Sequence, residues 1–591
     1  MATVGDFLLE RLHGWGVRRI FGYPGDGING IMAAFGRRDE TSDPIEFIQS
    51  RHEEMSAFMA CGHAKFTGEV GVCLATSGPG AIHLLNGLYD AKLDRQPVVA
   101  IVGQQKRSAM GASYQQEVDL VSLFKDVAGE YVHMATTPEQ LRHLVDRAMR
   151  IARSERCVTC IIIPNDLQDE DAVPMPPREH GYTFTGIGEA LKAQVPPQDA
   201  LLAAAAILNA GSRVAILAGA GAHGAHEELA QVAELLGAGV AKALLGKAVI
   251  SDALPFVTGS IGIIGTEASA AMMDGCDTLL MVGSSFPYAE FLPAEGQARG
   301  VQVDIDGRML SLRYPMEASL QGDARATLRA LIPLLQHKQD RGWREEVEAR
   351  VAASRRLLAS KAMEPADPVN PQRVFTELSA RLPENVILAG DSGSVSAWYA
   401  LHLQVQSGML ASLSGTLATM GSAVPYALAA KLAHPGRPII ALAGDGAMQM
   451  NGINGLMSIA WHRARWTNPC FIILVLNNRD LNFVTWEQRG MQGEPKYQPS
   501  QELPDFSYAA YARMLGLDGV RVDNPEALGA AWEQALAADR PFVLEVVVDA
   551  NIPPLPPHMV QEQQEQYEKA IGKGDAEAGE VRRGAAAQSR S

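Results

Sequence analysis

Two uninterrupted apolar runs constrain this chain more than any other feature. Pro438-Ile439-Ile440-Ala441-Leu442-Ala443 stops at Gly444-Asp445-Gly446, and Phe471-Ile472-Ile473-Leu474-Val475-Leu476 stops at Asn477-Asn478. Both read as buried strands, the kind found in parallel sheets covered by helices. A helix-like segment begins near Ala447. A glycine-flanked carboxylate at such a strand-to-helix turn leaves backbone N–H groups free for a phosphate. The aspartate can also hold a hard divalent cation bridging to that phosphate. As parallel neighbours, the two strands would bring Asp445 and an asparagine carboxamide to one sheet edge, where α/β folds bind ligands. GDG and NN equally suit ordinary turns, so the local residues leave both readings open.

Elsewhere, strands with β-branched residues alternate with Ala/Leu-rich helical segments, the pattern of parallel α/β domains. A chain of 591 residues is too long for one core. Two polar, proline-bearing stretches, Asp169–Gln198 and His337–Pro371, divide it. The expected blocks are 1–180, 190–338 and 365–557, followed by a polar Ala/Gly-rich tail, 558–591, that reads as disordered at its end. The first and third blocks look related, although residue identity demonstrates no repeat.

A net charge of −16 argues against a nucleic-acid groove. No apolar stretch is long enough to cross a bilayer, and the tail has no convincing apolar face for a lipid surface. No strong membrane binding is therefore expected. Met1-Ala2-Thr3-Val4-Gly5-Asp6 lacks the features of a secretory signal, so a cytoplasmic location is expected. Cys157-Val158-Thr159-Cys160 spells CxxC but opens the apolar run Ile161-Ile162-Ile163, and reads as strand rather than redox or metal site.

The GDG and NN pair resembles the signature of the thiamine diphosphate-dependent enzymes. The spacer, residues 447–476, is a few residues longer than usual, with the surplus in Trp461–Pro469. The resemblance covers about residues 3–555 and implies three α/β domains: pyrimidine-binding, middle and diphosphate-binding. It implies that Asp445, the Asn478 side chain and the Asp480 carbonyl bind Mg²⁺. Gly444, Gly446 and Ala447 would lie along the cofactor. In Gly390-Asp391-Ser392-Gly393-Ser394, Ser394 and its neighbours can offer donors to the diphosphate. Met420, in Thr419-Met420-Gly421, matches the residue that props the two cofactor rings into a V.

In the first block, Glu53 follows Arg51-His52 at the start of a helix. Residues alone favour a simple first-turn acid. The resemblance makes Glu53 the carboxylate for N1′ of the aminopyrimidine and Glu54 its structural neighbour. Gly78, in Ala75-Thr76-Ser77-Gly78-Pro79-Gly80, lies near the cofactor in the family. Gln116 matches a family glutamine at the active site, whereas Gln115 stands where an aromatic residue is usual and puts pyruvate itself in question.

The middle block carries Gly219-Ala220-Gly221-Ala222-His223-Gly224 between a strand and a helix, a GxGxxG arrangement. With Leu245-Gly246-Lys247, Ser285, Phe286, Asp304, Asp306 and Asp323 it resembles the FAD-binding middle domain of pyruvate oxidases and pyruvate:quinone oxidoreductases. Acetolactate synthases keep FAD there too. Phe483 aligns with an aromatic that lies between thiamine and flavin in the oxidase branch, while Trp486-Glu487 is similar to the synthases. The resemblance thus implies oxidative decarboxylation of a small 2-oxo acid such as pyruvate, with thiamine diphosphate, Mg²⁺ and FAD. Carboligation of 2-oxo acids, as in acetolactate synthesis, is the alternative, and a noncatalytic cofactor-binding relative is the reading from another class. It also implies a homodimer or homotetramer, with Glu53 and the GDG turn meeting across the interface.

Overall fold

The computed structural model describes residues 2–37, 45–188, 193–554 and 561–589. The expected boundaries at 190 and at 557–558 lie outside the described residues. The chain forms three six-stranded, all-parallel sheets with helices between the strands, as the alternation of elements predicts. It divides into two compact units. One holds residues 1–191, 414–439 and 447–469; the other holds 192–413, 440–446 and 470–591.

The first unit contains the first sheet: β1 Arg19–Gly22, β2 Glu46–Gln49, β3 Gly71–Ala75, β4 Val98–Gln104, β5 Val132–Met134 and β6 Val158–Pro164. Their order is β2-β1-β3-β4-β6-β5. β3, β4 and β6 are buried along their whole length, which is why their sequences run apolar without alternation. Cys160 is buried inside β6, and burial raises its thiol well above the ordinary value. Cys157 lies just outside that strand, and among the described residues neither cysteine is in a disulfide.

The second unit contains two sheets. The middle one comprises β7 Val214–Ala218, β8 Gly239–Lys242, β9 Val257–Ser260, β10 Thr278–Val282, β11 Arg299–Asp304 and β12 Ala318–Gln321, in the order β12-β11-β10-β7-β8-β9. The third comprises β13 Ile387–Gly390, β14 Leu410–Ser412, β15 Ile439–Gly444, β16 Phe471–Asn477, β17 Asp518–Val522 and β18 Phe542–Val547, in the order β14-β13-β15-β16-β18-β17.

Counted from its own first strand, the third sheet winds as the first does, 2-1-3-4-6-5. The two are related in topology where residue identity shows nothing. The middle sheet winds 3-2-1-4-5-6, the order of dinucleotide-binding folds. The winding changes direction between β1 and β3, between β7 and β10, and between β13 and β15, and in the first and third sheets it turns back again at β6 and β18. Loops at such reversals splay apart and leave a crevice at the carboxyl ends of the strands.

The tail departs from its expectation. Gln561–Gly572 and Ala578–Ser589 are helices, and Tyr567, Ile571 and Val581 form a small buried cluster with Trp486. Tyr567 and Ile571 are four residues apart, so they share one helix face. That face, sparse as it is, orders a segment whose composition reads as disordered.

Candidate active site

In the first unit, β2 runs into a helix, Glu53–Thr67, capped by His52, whose Nδ1 accepts from the Glu54 N–H at 3.2 Å. The cap turns Glu53 inward, and it is only 8% exposed. Its Oε2 lies 3.0 Å from Nδ1 of His83, at the end of the short helix Pro79–His83 that follows β3. The His52 and His83 rings stand 4.5 Å apart. A Cβ at Gly80 would lie 3.2 Å from Glu53 Oε1 and 2.7 Å from Thr76 Cγ2. Glycine there lets the loop approach the carboxylate. Gly78 has φ +60°, and a Cβ on it would meet Gln116 Cβ at 2.8 Å. Gln116 Oε1 accepts from Ser77 Oγ at 3.3 Å. Glu53, Gly78 and Gln116 are thus brought together at one end of the first sheet. Gln115, next to them, is exposed.

Glu54 is occupied differently. Its carboxylate accepts from Asn86 Nδ2 at 2.5 Å and from Asn451 Nδ2 at 2.8 Å. Asn86 also donates to Thr419 Oγ1 at 3.1 Å, beside the half-buried Met420. The Asn86 amide therefore links the Met420 loop to the helix that begins with Glu53, and the Asn451 amide links a second segment to it. The buried Ala447 precedes a π-helical turn, Met448–Gly452, that presents Asn451. Such turns are rare and concentrate at functional sites.

In the second unit, Asp445 follows β15, and Asn478 follows the neighbouring β16. Asp445 is buried; its Oδ1 accepts from Gly446 N at 2.9 Å and its Oδ2 from Arg479 N at 2.6 Å. Burial still pushes its carboxyl up to about 7, and nearby Asp480 adds to the push. A buried carboxylate so placed gains strongly from a cation. Asn478 Oδ1 accepts from Asp480 N at 3.1 Å. Asn477 points elsewhere, donating to the buried Glu545 at 2.8 Å. The Asp480 carboxylate is engaged by Thr485 Oγ1 at 3.0 Å, Lys496 Nζ at 3.1 Å and Asn482 Nδ2 at 3.3 Å. That saturation suits a residue offering a cation its carbonyl rather than its side chain.

Across the reversal from β15 lies the loop after β13. Asp391 N donates to Leu442 O at 2.9 Å, which holds the two loops side by side. Gly393 has φ +101°, and a Cβ on Gly393 or Gly444 would project into open space. The buried Ser392 hydroxyl has no partner among the described residues. Ser394 opens the helix Ser394–His402. Open space, an orphaned hydroxyl, free helix-terminal N–H groups and a buried carboxylate fit a metal-bound diphosphate. Phe483 is half-buried on the helix Asn482–Glu487 that follows this loop.

At the reversal of the middle sheet, the glycine loop lies backbone to backbone against the loop after β10. Gly219 N donates to Val282 O and Gly221 N to Gly283 O, each at 2.9 Å. A Cβ on Gly221 would come within 2.7 Å of Gly283 Cα. Ser285 and the buried Phe286 continue that loop. Asp304, Asp306 and Asp323 stand at the ends of β11 and β12, along the same edge. Their carboxylates cap local turns: Asp304 accepts from Asp306 N at 2.9 Å, Asp306 from Arg308 N at 3.0 Å, and Asp323 from Ala326 N at 2.8 Å. The glycines face the loop that carries Ser285 and Phe286, and the three aspartates stand along the same carboxyl edge of the sheet.

His83 is the site residue that sequence reasoning misses. The one local signal is a histidine one turn into a Pro-Gly helix start, and nothing local pairs it with a glutamate thirty residues earlier.

Three family models match the chain. Residues 2–123 match the thiamine pyrophosphate enzyme, N-terminal TPP binding domain; 201–331 match its central domain; 391–546 match its C-terminal TPP binding domain. A Bacillus subtilis protein named "Putative thiamine pyrophosphate-containing protein" is 35% identical over 556 residues, 94% of this chain and 93% of that one. The pyruvate oxidase of Lactiplantibacillus plantarum is 29% identical over 552 residues, covering 93% and 89%. A Methanocaldococcus jannaschii protein named "Probable acetolactate synthase large subunit" is 29% identical over 581 residues, covering 93% of each. With three matching domains in order and a 35% identical relative matched over nearly its full length, the chain belongs to the thiamine pyrophosphate enzyme family.

Proposed function

We propose that this protein oxidatively decarboxylates a small 2-oxo acid such as pyruvate, using thiamine diphosphate, Mg²⁺ and FAD. The observation that carries the reading is the buried Glu53 with His83 at 3.0 Å. When bound, thiamine diphosphate supplies the carbon nucleophile and electron sink for CO₂ loss, and FAD a two-electron acceptor. Asp445, Asn478 and the Asp480 carbonyl would hold Mg²⁺. Gly393, Ser394, Gly444, Gly446 and Ala447 would hold the diphosphate, and Met420 the angle between the rings. Gly78 would let its loop approach the pyrimidine side. Glu53 holds and returns a proton at N1′ of the aminopyrimidine, and burial keeps water from competing for it. Gln116 would reach the 2-oxo acid, and Phe483 would lie between thiamine and flavin. FAD would lie along Gly219, Gly221, Ser285 and Phe286, with Asp304, Asp306 and Asp323 near its ribose.

Carboligation is the second reading, favoured by the acetolactate synthase among the relatives. One experiment separates the two. Purified protein is mixed with thiamine diphosphate, Mg²⁺ and pyruvate without oxygen, and flavin absorbance is followed. Bleaching is the expected result. CO₂ and acetoin-type products over an unchanged flavin would make the protein a carboligase. A preparation unable to bind flavin would remove both FAD assignments.

We further propose a cytoplasmic homodimer or homotetramer in which Glu53 of one copy serves the GDG turn of another. Among the described residues no helix is long and apolar enough to cross a membrane. Sedimentation of the active enzyme should show no monomer; a fully active monomer would refute the shared site.

A further inference from the structure

Three charged side chains are buried together in the second unit. Lys242 Nζ donates to Asp252 Oδ1 at 2.6 Å and to Lys247 O at 2.8 Å. Lys247, 2% exposed, lies 3.6 Å from Asp252 Oδ2. Asp252 Oδ2 also accepts from Val405 N at 2.8 Å. Two cations against one anion leave an excess positive charge, which is costly to bury unless something else receives it. The receiver is the carboxyl end of the helix Ser394–His402. Lys247 Nζ donates to Ala400 O at 3.0 Å, and Ser260 Oγ reaches the same carbonyl at 3.3 Å. The last carbonyls of a helix have no partners within it and carry partial negative charge, so a cation there is favourable.

The opposite end of this helix bears Gly393 and Ser394. The turn carrying Lys247, Leu244–Gly246, has its own second neighbour. Ala243 N donates to Ala218 O at 2.9 Å, and a Cβ on Gly246 would meet Ala218 O at 2.8 Å and Gly219 Cα at 3.0 Å. The turn therefore backs onto the glycine loop at one side and grips the diphosphate helix at the other.

We propose that Lys247 is a positioning residue that couples the dinucleotide crevice of the middle sheet to the diphosphate crevice of the third. The proposal rests on the reading above that Gly219 lies along FAD and Ser394 along the diphosphate. A ligand that fixes the Gly219 loop fixes the Leu244–Gly246 turn against it, and Lys247 then holds the helix whose amino end receives the phosphate. Binding at either crevice strengthens the other by the same factor.

The test titrates the apoprotein with thiamine diphosphate in Mg²⁺, with and without saturating FAD, following tryptophan fluorescence. Trp398 lies on the helix in question. The wild type is expected to bind thiamine diphosphate about 5- to 10-fold more tightly with FAD present. In Lys247→Met the ratio falls to about 1 while FAD still binds by flavin fluorescence. A wild-type ratio of 1, or a Lys247→Met ratio equal to a wild-type ratio above 1, overturns the coupling. Wild type that binds no FAD overturns the function proposed above instead, and Lys247→Met must then still weaken thiamine diphosphate binding. If Lys247→Met does not fold, Lys247→Arg decides. It keeps the charge in a planar fork that matches one carbonyl less well, so its ratio should fall between those limits, and an unchanged ratio refutes the role.

Discussion

Glu53→Gln should lower CO₂ release from pyruvate by about 10²- to 10⁴-fold, the scale of a lost general acid–base contact. Glutamine has the same shape, can occupy the same position at the start of the helix, and can keep a hydrogen bond to His83 Nδ1. What it cannot do is hold a proton and give it back. The neighbouring Glu54 is no substitute, because Asn86 and Asn451 already occupy its carboxylate. The groups proposed to bind Mg²⁺ and diphosphate belong to other loops, so thiamine diphosphate affinity should change far less than the rate. Single-turnover CO₂ release and a binding titration on the same preparation separate the two. Wild-type release in Glu53→Gln would remove this carboxylate from the chemistry.

Arg489→Ala should free the C-terminal helices, lowering their local stability by about 3–5 kcal/mol. Arg489 is buried, with Nε 2.9 Å and Nη2 3.1 Å from the two oxygens of Asp575. Nη2 also reaches Glu577 Oε2 at 2.8 Å, and the guanidinium lies 5.2 Å from the Trp486 ring centre. Removing it leaves the Asp575 carboxylate buried with only backbone donors, from Lys496 and Glu577. An uncompensated buried charge costs more than the pair was worth. A long chain with several cores does not unfold in one step, so hydrogen exchange in residues 561–589 is the right measurement. Slow exchange there in Arg489→Ala would show that the apolar cluster around Tyr567 suffices alone. The double variant Arg489→Met with Asp575→Leu should recover part of the loss, since neither charge is then stranded. The same network reaches the loop of Asp480, proposed above to hold Mg²⁺, because Lys496 bridges Glu577 at 3.0 Å and Asp480 at 3.1 Å.

The architecture is legible where physics acts locally. Residues 471–476 are apolar without alternation because both faces of β16 are buried, and a strand of that kind announces a parallel sheet. The adjacency of Asp445 and Asn478 follows once β15 and β16 are neighbours. Winding order is not local, and nothing in residues 19–22 or 387–390 reveals that β1 and β13 hold equivalent places. The Glu53 and His83 pair is hidden for the same reason, since the contact belongs to the sheet rather than to either segment. Asp306 and Asp323 mark a limit of another kind. A turn cap and a ribose ligand want the same residue, and only coordinates show the caps already made. The C-terminal helices are not legible in residues 561–589 alone, because their order depends on Arg489 and Trp486, far earlier in the chain.

The winding orders also govern how the chain can be made. In the middle sheet every new strand adds to one already present: β8 to β7, β9 to β8, then β10, β11 and β12 outward along the other side. That sheet can grow as it leaves the ribosome. The first and third sheets cannot, because β6 and β18 are synthesised last yet lie between earlier strands. Until Val158 emerges, β4 keeps an open edge and β5 has nothing to join. Until Phe542 emerges, β16 and β17 are in the same position. Unpaired edges of apolar strands invite association with other chains. Each of these two sheets therefore passes through a vulnerable stage that ends only with its final strand, and the nascent chain most needs a chaperone just before those two residues appear.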